Sequence, residues 1–312
     1  MLPVLVAIAV AGIACVAYGV LLERRWYRLA RYRLDILPAD AERPVTVLHL
    51  SDLHIVTGQT RKLGRFLETV PGADVTAVTG DILGEPEAVE DAVALLHDVR
   101  GREASYFVLG SNDYFAPKPL NPVRYFLGGG RRRRAARRGR ARDLVVQLEA
   151  DGWAHLRNVR TSATIGGLEI ELLGLDDPHI DWQDLRVAPR RRSGAFGLGV
   201  VHSPDPLPEL AALGWDFVVY GHTHGGQVRM PFLGALVTNS YVPRRLAAGL
   251  MRLGTSYAHV SPGLGTSKYA PFRFLCRPEA TVLELRPAPQ TRVSPAGAPS
   301  SRVERARRTP PR

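Results

Sequence analysis

The sequence predicts a mixed α/β fold, because short β-favouring runs alternate with segments of helical spacing. Five of the runs are apolar and are followed closely by a polar motif; they cover residues 45–50, 75–79, 106–109, 197–201 and 217–220. Between the first three, residues 61–70 and 85–100 carry apolar side chains at helical intervals. At 312 residues and 45% hydrophobic content, the chain can build one domain with a large core.

The N-terminal segment predicts a transmembrane anchor over residues 1–23. Residues 2–22 contain no charged side chain, and a helix of this length spans ~30 Å, which matches the hydrocarbon core. Arginine and aromatic residues follow at once, as is typical of a membrane interface: Arg24, Arg25, Trp26, Tyr27, Arg28, Arg31, Tyr32 and Arg33. A cleaved signal peptide is the rival interpretation, but the segment lacks a positively charged start and a clear A-x-A cleavage site. The positive-inside rule predicts a single-pass protein of the cell membrane with the rest of the chain in the cytoplasm.

The remaining segments are expected to be a basic juxtamembrane linker at 24–44, the main domain at 45–286, which contains all the polar motifs described below, and a disordered basic tail at 287–312. The low-complexity, arginine-rich stretch at 128–142 predicts an insertion loop within the domain. A helix is expected at 143–151, with strands near 163–165, 168–173 and 258–260. The tail is dominated by proline, alanine, serine and arginine and has no aromatic residue, a composition that cannot form a packed core.

The polar motifs after the strands predict a metal site. They are Asp52-Leu53-His54, Gly80-Asp81, Gly110-Ser111-Asn112-Asp113, His202, and Gly-His-Thr-His-Gly-Gly at 221–226. Carboxylate oxygens and imidazole nitrogens at strand ends are how a rigid scaffold assembles ligands for hard or borderline ions. Such a ligand set suits Mn, Fe or Zn, and it does not select among them. The order of the motifs therefore favours a metallohydrolase with two metal ions.

In order and strand context, the motifs resemble the calcineurin-like metallophosphoesterase family, whose signature is D-x-H, G-D, G-N-H-D/E, a lone His and G-H-x-H. The resemblance covers about residues 45–285, and the apolar N terminus with the 221–227 motif is similar to the membrane-associated branch. It implies a four-layer α/β/β/α sandwich and hydrolysis of phosphoesters by metal-activated water. The implied ligands of the first ion are Asp52, His54, Asp81 and His224, and those of the second are Asp81, Asn112, His202 and His222.

One motif departs from the family pattern. G-N-H-D would place Asn at position 111 and a catalytic His at 112, whereas this chain has Ser111 and Asn112. Either Asn112 takes the ligand role, or Ser111 supplies the oxygen; in both cases the usual proton donor is missing, which typically costs about 10²–10⁴-fold in rate. Another group such as His179, or a substrate with a good leaving group such as a pyrophosphate or aryl phosphate, would compensate. The segment 176–179 that contains His179 is equally consistent with a structural turn.

The net charge of +11 is carried almost wholly by arginine, which is in part what a GC-rich genome would encode. For the tract 131–142, anionic membrane lipids rank first, a solvated loop second and nucleic acid third, because no aromatic residues are interleaved for base stacking. No protein partner is indicated.

Two classes of function remain open at this level. The first is a membrane-anchored metal-dependent phosphoesterase, acting on phosphoester or pyrophosphate bonds of lipid-linked or envelope substrates, with a nuclease or nucleotide phosphodiesterase as its variant. The second is a catalytically impaired, metal-binding membrane protein. The intact Asp52, Asp81, His202, His222 and His224 favour the enzyme.

Overall fold

The computed structural model describes residues 1–117, 137–190, 194–289 and 304–305, and two β-sheets packed face to face form its centre. The strands in chain order are β1 Arg28–Leu37, β2 Val45–Leu50, β3 Val75–Thr79, β4 Ala104–Val108, β5 Ala154–His155, β6 Val159–Ile165, β7 Leu168–Leu175, β8 Phe196–Val201, β9 Phe217–Tyr220, β10 Arg229–Met230, β11 Gly234–Ala235, β12 Gly249–Leu253, β13 Ser256–Val260, β14 Glu279–Pro287 and β15 Glu304–Arg305. The helices are α1 Leu2–Ala17, α2 Arg61–Leu67, α3 Val89–His97, α4 Ser111–Tyr114, α5 Ala141–Ala150 and α6 Leu207–Ala212.

The first sheet has the order β1-β14-β2-β3-β4-β5, and the second has the order β15-β12-β13-β9-β8-β7-β6. In the first sheet β2, β3, β4 and β5 run parallel, and in the second β7, β8, β9 and β13 do so. Parallel strands end at the same edge of a sheet, so each sheet presents several carboxyl ends side by side.

Three apolar clusters make the fold a four-layer sandwich. Between the sheets, one buried cluster contains side chains from both, such as Val75 of the first sheet and Phe217 of the second. Helices α2, α3 and α5 cover the outer face of the first sheet, with Leu96 at 0% exposure. Helix α6 and the fully buried Trp215 cover the second sheet. The α/β/β/α arrangement confirms the predicted fold class.

The N-terminal helix leaves the domain. The helical segment Leu2–Arg25 is 24 residues long and apolar enough to cross a membrane by length and composition. Within it, α1 contributes no buried residue, a π-turn spans Tyr18–Leu22, and a 3₁₀ turn spans Glu23–Arg25. Burial begins at its last turns, where Gly19 and Glu23 contact the domain.

The region predicted as a linker, 24–44, is largely a strand. Residues Arg28–Leu37 form β1, the edge of the first sheet, paired in parallel with β14 from near the end of the chain. Its arginines alternate with apolar residues, and Ala30, Tyr32 and Leu34 point into the core while Arg31 and Arg33 point out. This period of two is the signature of a half-buried strand. The prediction of a linker was wrong for residues 28–37, because their arginines were interpreted as membrane-interface residues and not as the outward-facing side of a strand.

Only part of the arginine-rich segment and of the tail is described. Residues 118–136 lie outside the described residues, and most of the predicted loop 128–142 falls in this range. The last two residues of the predicted loop, from Ala141, belong to helix α5. In the predicted tail, β14 extends to Pro287 and β15 pairs with β12, while 290–303 and 306–312 lie outside the described residues.

Candidate metal centre

The predicted site residues lie at the carboxyl ends of five parallel strands. Asp52 and His54 follow β2, Asp81 follows β3 and Asn112 follows β4, while His202 follows β8 and His222 with His224 follow β9. Backbone hydrogen bonds join the loops: the Asp52 N–H donates to the Gly80 carbonyl at 3.0 Å, and the His54 N–H donates to the Asp81 carbonyl at 3.0 Å. Motifs far apart in sequence thus converge between the two sheets.

Five of the candidate ligands have left-handed backbone conformations. The φ angles are 48° for Asp52, 44° for His54, 49° for Asp81, 67° for His222 and 50° for His224. A non-glycine residue in this region is uncommon and costs on the order of 1–3 kcal/mol, and such residues cluster at functional sites. The sharp turns aim each side chain from its strand end into the same space.

The first predicted ligand set is assembled in the structure. Asp52, His54, Asp81 and His224 each offer one ligand atom, and these atoms lie within 4.8 Å of one another. The Nε2 atoms of His54 and His224 face each other at 3.0 Å. His54 Nε2 is 3.7 Å from Asp81 Oδ2, and His224 Nε2 is 3.5 Å from Asp52 Oδ1.

The second predicted set surrounds Asp81 less completely. His202 Nε2 lies 3.7 Å from Asp81 Oδ1, and the Asn112 side-chain amide and backbone N–H both contact the Asp81 carboxylate, the latter at 2.8 Å. The His222 ring stands edge-on to the His202 ring at 5.2 Å. His222 Nε2, however, is 3.1 Å from the Asn239 carbonyl, so in this conformation that atom is engaged outside the cluster.

Two buried atoms test whether these residues fit a metal. Asp52 Oδ1 and His202 Nε2 are buried and have no hydrogen-bond partner among the described residues. A buried polar atom without a partner is costly, and both atoms point to the cluster of carboxylates and imidazoles. His202 is also oriented by its other nitrogen, because Nδ1 is 2.6 Å from the Thr79 carbonyl, which leaves Nε2 as the free ligand atom. The donor set therefore fits divalent metal ions.

The electrostatics of the cluster agree with this fit. Burial raises the pKa of Asp52 to about 7. Burial disfavours the charged form of His202, but the carboxylates around it, Asp81 foremost, outweigh burial and raise its pKa to about 9. Burial lowers the pKa of His222 to about 4 and that of His224 well below its usual value. In the absence of metal at pH 7, His202 is therefore protonated and Asp52 is partly protonated, so a cation would displace protons from them, whereas His222 and His224 are already neutral.

A buried arginine behind the cluster has a supporting role that no sequence pattern predicted. Arg273 has 0% exposure, and its Nη2 donates to the carbonyls of Pro262 at 2.8 Å and Gly265 at 2.6 Å, with His224 Nδ1 at 3.4 Å. These carbonyls belong to the loop that lies on the first motif, since a Cβ on Gly265 would stand 2.1 Å from the Leu53 carbonyl. Arg273 thus fixes the position of this loop and of His224. Its sequence context, between two phenylalanines, carried no signal for this role.

Two acidic residues hold neighbouring parts of the site. Asp113 accepts the N–H groups of Gly110 at 2.9 Å and Leu83 at 2.8 Å, which ties the β4 loop to the β3 loop. Asp52 Oδ2 accepts the Ser51 hydroxyl at 2.5 Å and the His222 N–H at 2.9 Å, which ties the first sheet to the second.

The segment 176–179 lies at the rim of the cluster. The His179 ring packs against the His222 ring with centroids 4.2 Å apart. Asp177 accepts the His179 N–H at 2.8 Å and caps the 3₁₀ turn Pro178–Ile180. From sequence, segment 176–179 was equally consistent with a structural turn and with a substrate contact. In the structure it is a capped turn that also places the His179 imidazole beside the site.

Two packed sheets with a buried Asp/His cluster at their strand ends define a metal-dependent hydrolase. Residues 45–226 match the family model of the calcineurin-like phosphoesterases, which is more than half of the chain. The chain belongs to this family, and it is a metal-dependent phosphoesterase.

Curated relatives agree with this membership. The chain is 28% identical over 243 residues to the uncharacterized metallophosphoesterase YkuE of Bacillus subtilis, covering 76% of each. It is 28% identical to the phosphodiesterase YaeI of Escherichia coli, covering 84% of this chain and 90% of that protein. It is 29% identical to a transmembrane protein with a metallophosphoesterase domain from Bos taurus, covering 78% of this chain and 53% of that protein.

Proposed function

We propose that the protein is a single-pass, membrane-anchored phosphodiesterase that holds two ions of Mn, Fe or Zn and faces the cytoplasm. The observation that carries the metal-dependent part is the convergence of four ligand atoms within 4.8 Å at the carboxyl ends of the strands. Specificity for diesters is supported by similarity to a protein named as a phosphodiesterase.

We assign the first ion to Asp52, His54, Asp81 and His224, and the second to Asp81, Asn112, His202 and His222. Asn112 is preferred to Ser111 because its amide contacts the Asp81 carboxylate, which both sets share. Oxygen and nitrogen of a side-chain amide are exchanged by a half-turn of its χ2 angle, and this rotation presents the Asn112 oxygen to a cation. His222 would need to release the Asn239 carbonyl to contribute Nε2.

When bound, the ions would bind phosphate oxygens and lower the pKa of a water that attacks phosphorus. The chain's own residues orient this chemistry: Thr79 holds His202, Ser51 holds Asp52, and Arg273 holds the loop next to His224. Asn112 cannot donate a proton in place of the usual histidine. We therefore propose substrates whose leaving group needs little protonation, such as a pyrophosphate or an aryl ester, with the His179 imidazole beside His222 as the available donor for poorer leaving groups.

The membrane part of the proposal rests on the segment Leu2–Arg25 and on the basic residues after it. Anchoring would confine the enzyme to phosphoesters at the membrane surface, for which lipid-linked or envelope substrates and anionic lipids are the fitting partners. In the described part of the arginine-rich tract, Arg137 pairs with Glu87 at 2.9 Å and Arg140 pairs with Glu90 at 3.3 Å. These intramolecular pairs leave less positive charge in this part of the tract for any polyanion, whether lipid or nucleic acid.

The test is metal content together with hydrolysis. The chain beginning at Tyr18, reconstituted with Mn, should bind about two ions per molecule and cleave bis(p-nitrophenyl) phosphate. Asp81→Asn should lower the rate by more than ~10²-fold, because even a change in a residue behind a ligand costs about 10–100-fold. The matched control is Asp98→Asn, an exposed residue just after α3, at the opposite end of the first sheet. A chain that binds both ions but hydrolyses neither monoesters nor diesters would instead be a catalytically impaired metal-binding protein.

A further inference from the structure

A short hairpin next to the metal centre exposes large apolar side chains. Strands β10 and β11 pair in antiparallel fashion, and the turn between them places Phe232 in full exposure and Leu233 at 75% exposure. Met230, at the start of the turn, is also exposed. Burying a side chain of this size stabilises by about 1.5–3 kcal/mol, so two such residues at one loop tip indicate a surface that is covered in the working protein.

The base of the hairpin is bonded to the place where the apolar helix leaves the domain. The Arg229 N–H donates to the Phe274 carbonyl at 2.9 Å, and the Phe274 N–H donates to the Gln227 carbonyl at 3.0 Å. The Phe274 ring meets the Tyr18 ring of the helical segment at 6.2 Å. The hairpin and the helix therefore leave the domain next to each other.

The surroundings of the hairpin match a membrane interface. Leu22, Trp26 and Leu275, which lie at or beside the end of the helix, are all exposed. The 3₁₀ turn Arg244–Leu246 lies against β11 and presents two exposed arginines, Arg244 and Arg245. Apolar tips flanked by arginine and tryptophan are complementary to anionic headgroups over an acyl layer.

We propose that the tip Phe232–Leu233 inserts into the same bilayer that the helical segment crosses. The inference rests on the anchoring part of the proposed function. Because the hairpin starts five residues after His224, its insertion holds the metal centre at the lipid surface. The partner is thus a lipid surface, and the substrate phosphate it favours is one attached to a lipid.

Fluorescence of the full chain in nanodiscs tests the insertion. Phe232→Trp is compared with Val146→Trp, an exposed position on α5, which packs beside β5 at the edge of the first sheet opposite to β1. The emission of the native tryptophans is removed by subtracting the wild-type spectrum. The remaining emission, from the tryptophan at position 232, should be blue-shifted and should be quenched by brominated acyl chains. The emission added at 146 should be unchanged by bromination.

The outcomes separate the two proposals. A wild-type chain that does not enter nanodiscs overturns the anchoring and the inference together. A chain that enters, but whose residue-232 emission is water-like, overturns the inference alone. Emission that is shielded but not quenched by brominated lipid shows a protein partner, such as a second copy, and also overturns it.

A kinetic arm checks the consequence for substrates. The double variant Phe232→Asp/Leu233→Asp should raise KM for hexadecyl p-nitrophenyl phosphate in the bilayer on the order of tenfold, a factor equal to about 1.4 kcal/mol. It should leave KM for methyl p-nitrophenyl phosphate in solution unchanged, since the scissile bond is the same. Val146→Asp is the matched control. Equal effects on both substrates would show that the hairpin acts on the site itself and would overturn the inference.

Discussion

Replacing Glu23 should weaken the contact between the end of the N-terminal helical segment and the loop that supports the candidate metal centre. Glu23 is 1% exposed, and its carboxylate accepts the N–H groups of Leu275 at 2.8 Å and Cys276 at 2.6 Å. The Cys276 thiol in turn lies 3.3 Å from the His224 carbonyl. One acidic side chain after the apolar run therefore supports the segment on which a candidate metal ligand rests.

The magnitude follows from the two N–H groups left behind. A buried donor without a partner costs about 1–3 kcal/mol. Cys276 is buried and should show the full effect, while Leu275 is half exposed and its N–H can be reached by water. Glu23→Ala should thus lower the free energy of unfolding by about 1–3 kcal/mol, chiefly through the Cys276 N–H, and Glu23→Gln, which keeps one acceptor oxygen, by about half of that.

Urea unfolding of the chain beginning at Tyr18 measures the effect. This truncation keeps the contact intact, because α1 contributes no buried residue. The control is Glu68→Ala, an exposed glutamate after α2, for which a change within about 0.5 kcal/mol is expected. If Glu23→Ala shifts stability no more than Glu68→Ala does, the carboxylate does not hold this segment and the reasoning is refuted.

Three further outcomes are expected. Asn112→Ala should weaken the second ion and spare the first, whereas Asn112→His should lower the rate on every substrate; a gain limited to poor alkyl leaving groups would move the ligand role to Ser111. Deleting residues 1–17 should release the protein from membranes in 1 M salt, where the screening length of ionic contacts falls to ~3 Å. The two inserted side chains, Phe232 and Leu233, would by themselves give only marginal membrane binding. Retention of the protein on membranes would reveal another strong hydrophobic contact. Metal affinity, measured by chelator competition, should rise with pH between about 6 and 9. The reason is that metal binding displaces protons from Asp52, whose pKa is about 7, and from His202, whose pKa is about 9. An affinity independent of pH would contradict these protonation states.

The proximity of the candidate ligands was predictable from sequence because each lies just after a strand that is itself apolar and β-favouring. Parallel strands end at a common edge, so Asp52, Asp81 and Asn112 had to approach one another once β2, β3 and β4 paired. The apolar run before Glu23 was predictable for a similar reason, since length and lack of charge alone define a candidate span. These properties are local, and a single sequence contains them.

What the tertiary structure decided involves partners far away in the chain. Strand β1 forms the edge of the first sheet because β14 pairs with it, although about 250 residues separate the two strands. The alternation of arginine and apolar residues in β1 is a strand pattern, but these arginines were interpreted as membrane-interface residues. Glu23 and Arg273 acquire their roles from contacts with backbone groups of a loop, and backbone groups are the same in every sequence. His179 reaches His222 only because the turn after β7 lies beside the end of β9. The sequence by itself determined which residues are candidates for the chemistry. The packing of the two sheets decided which residues hold these candidates in place, because such support depends on distances that no local pattern encodes.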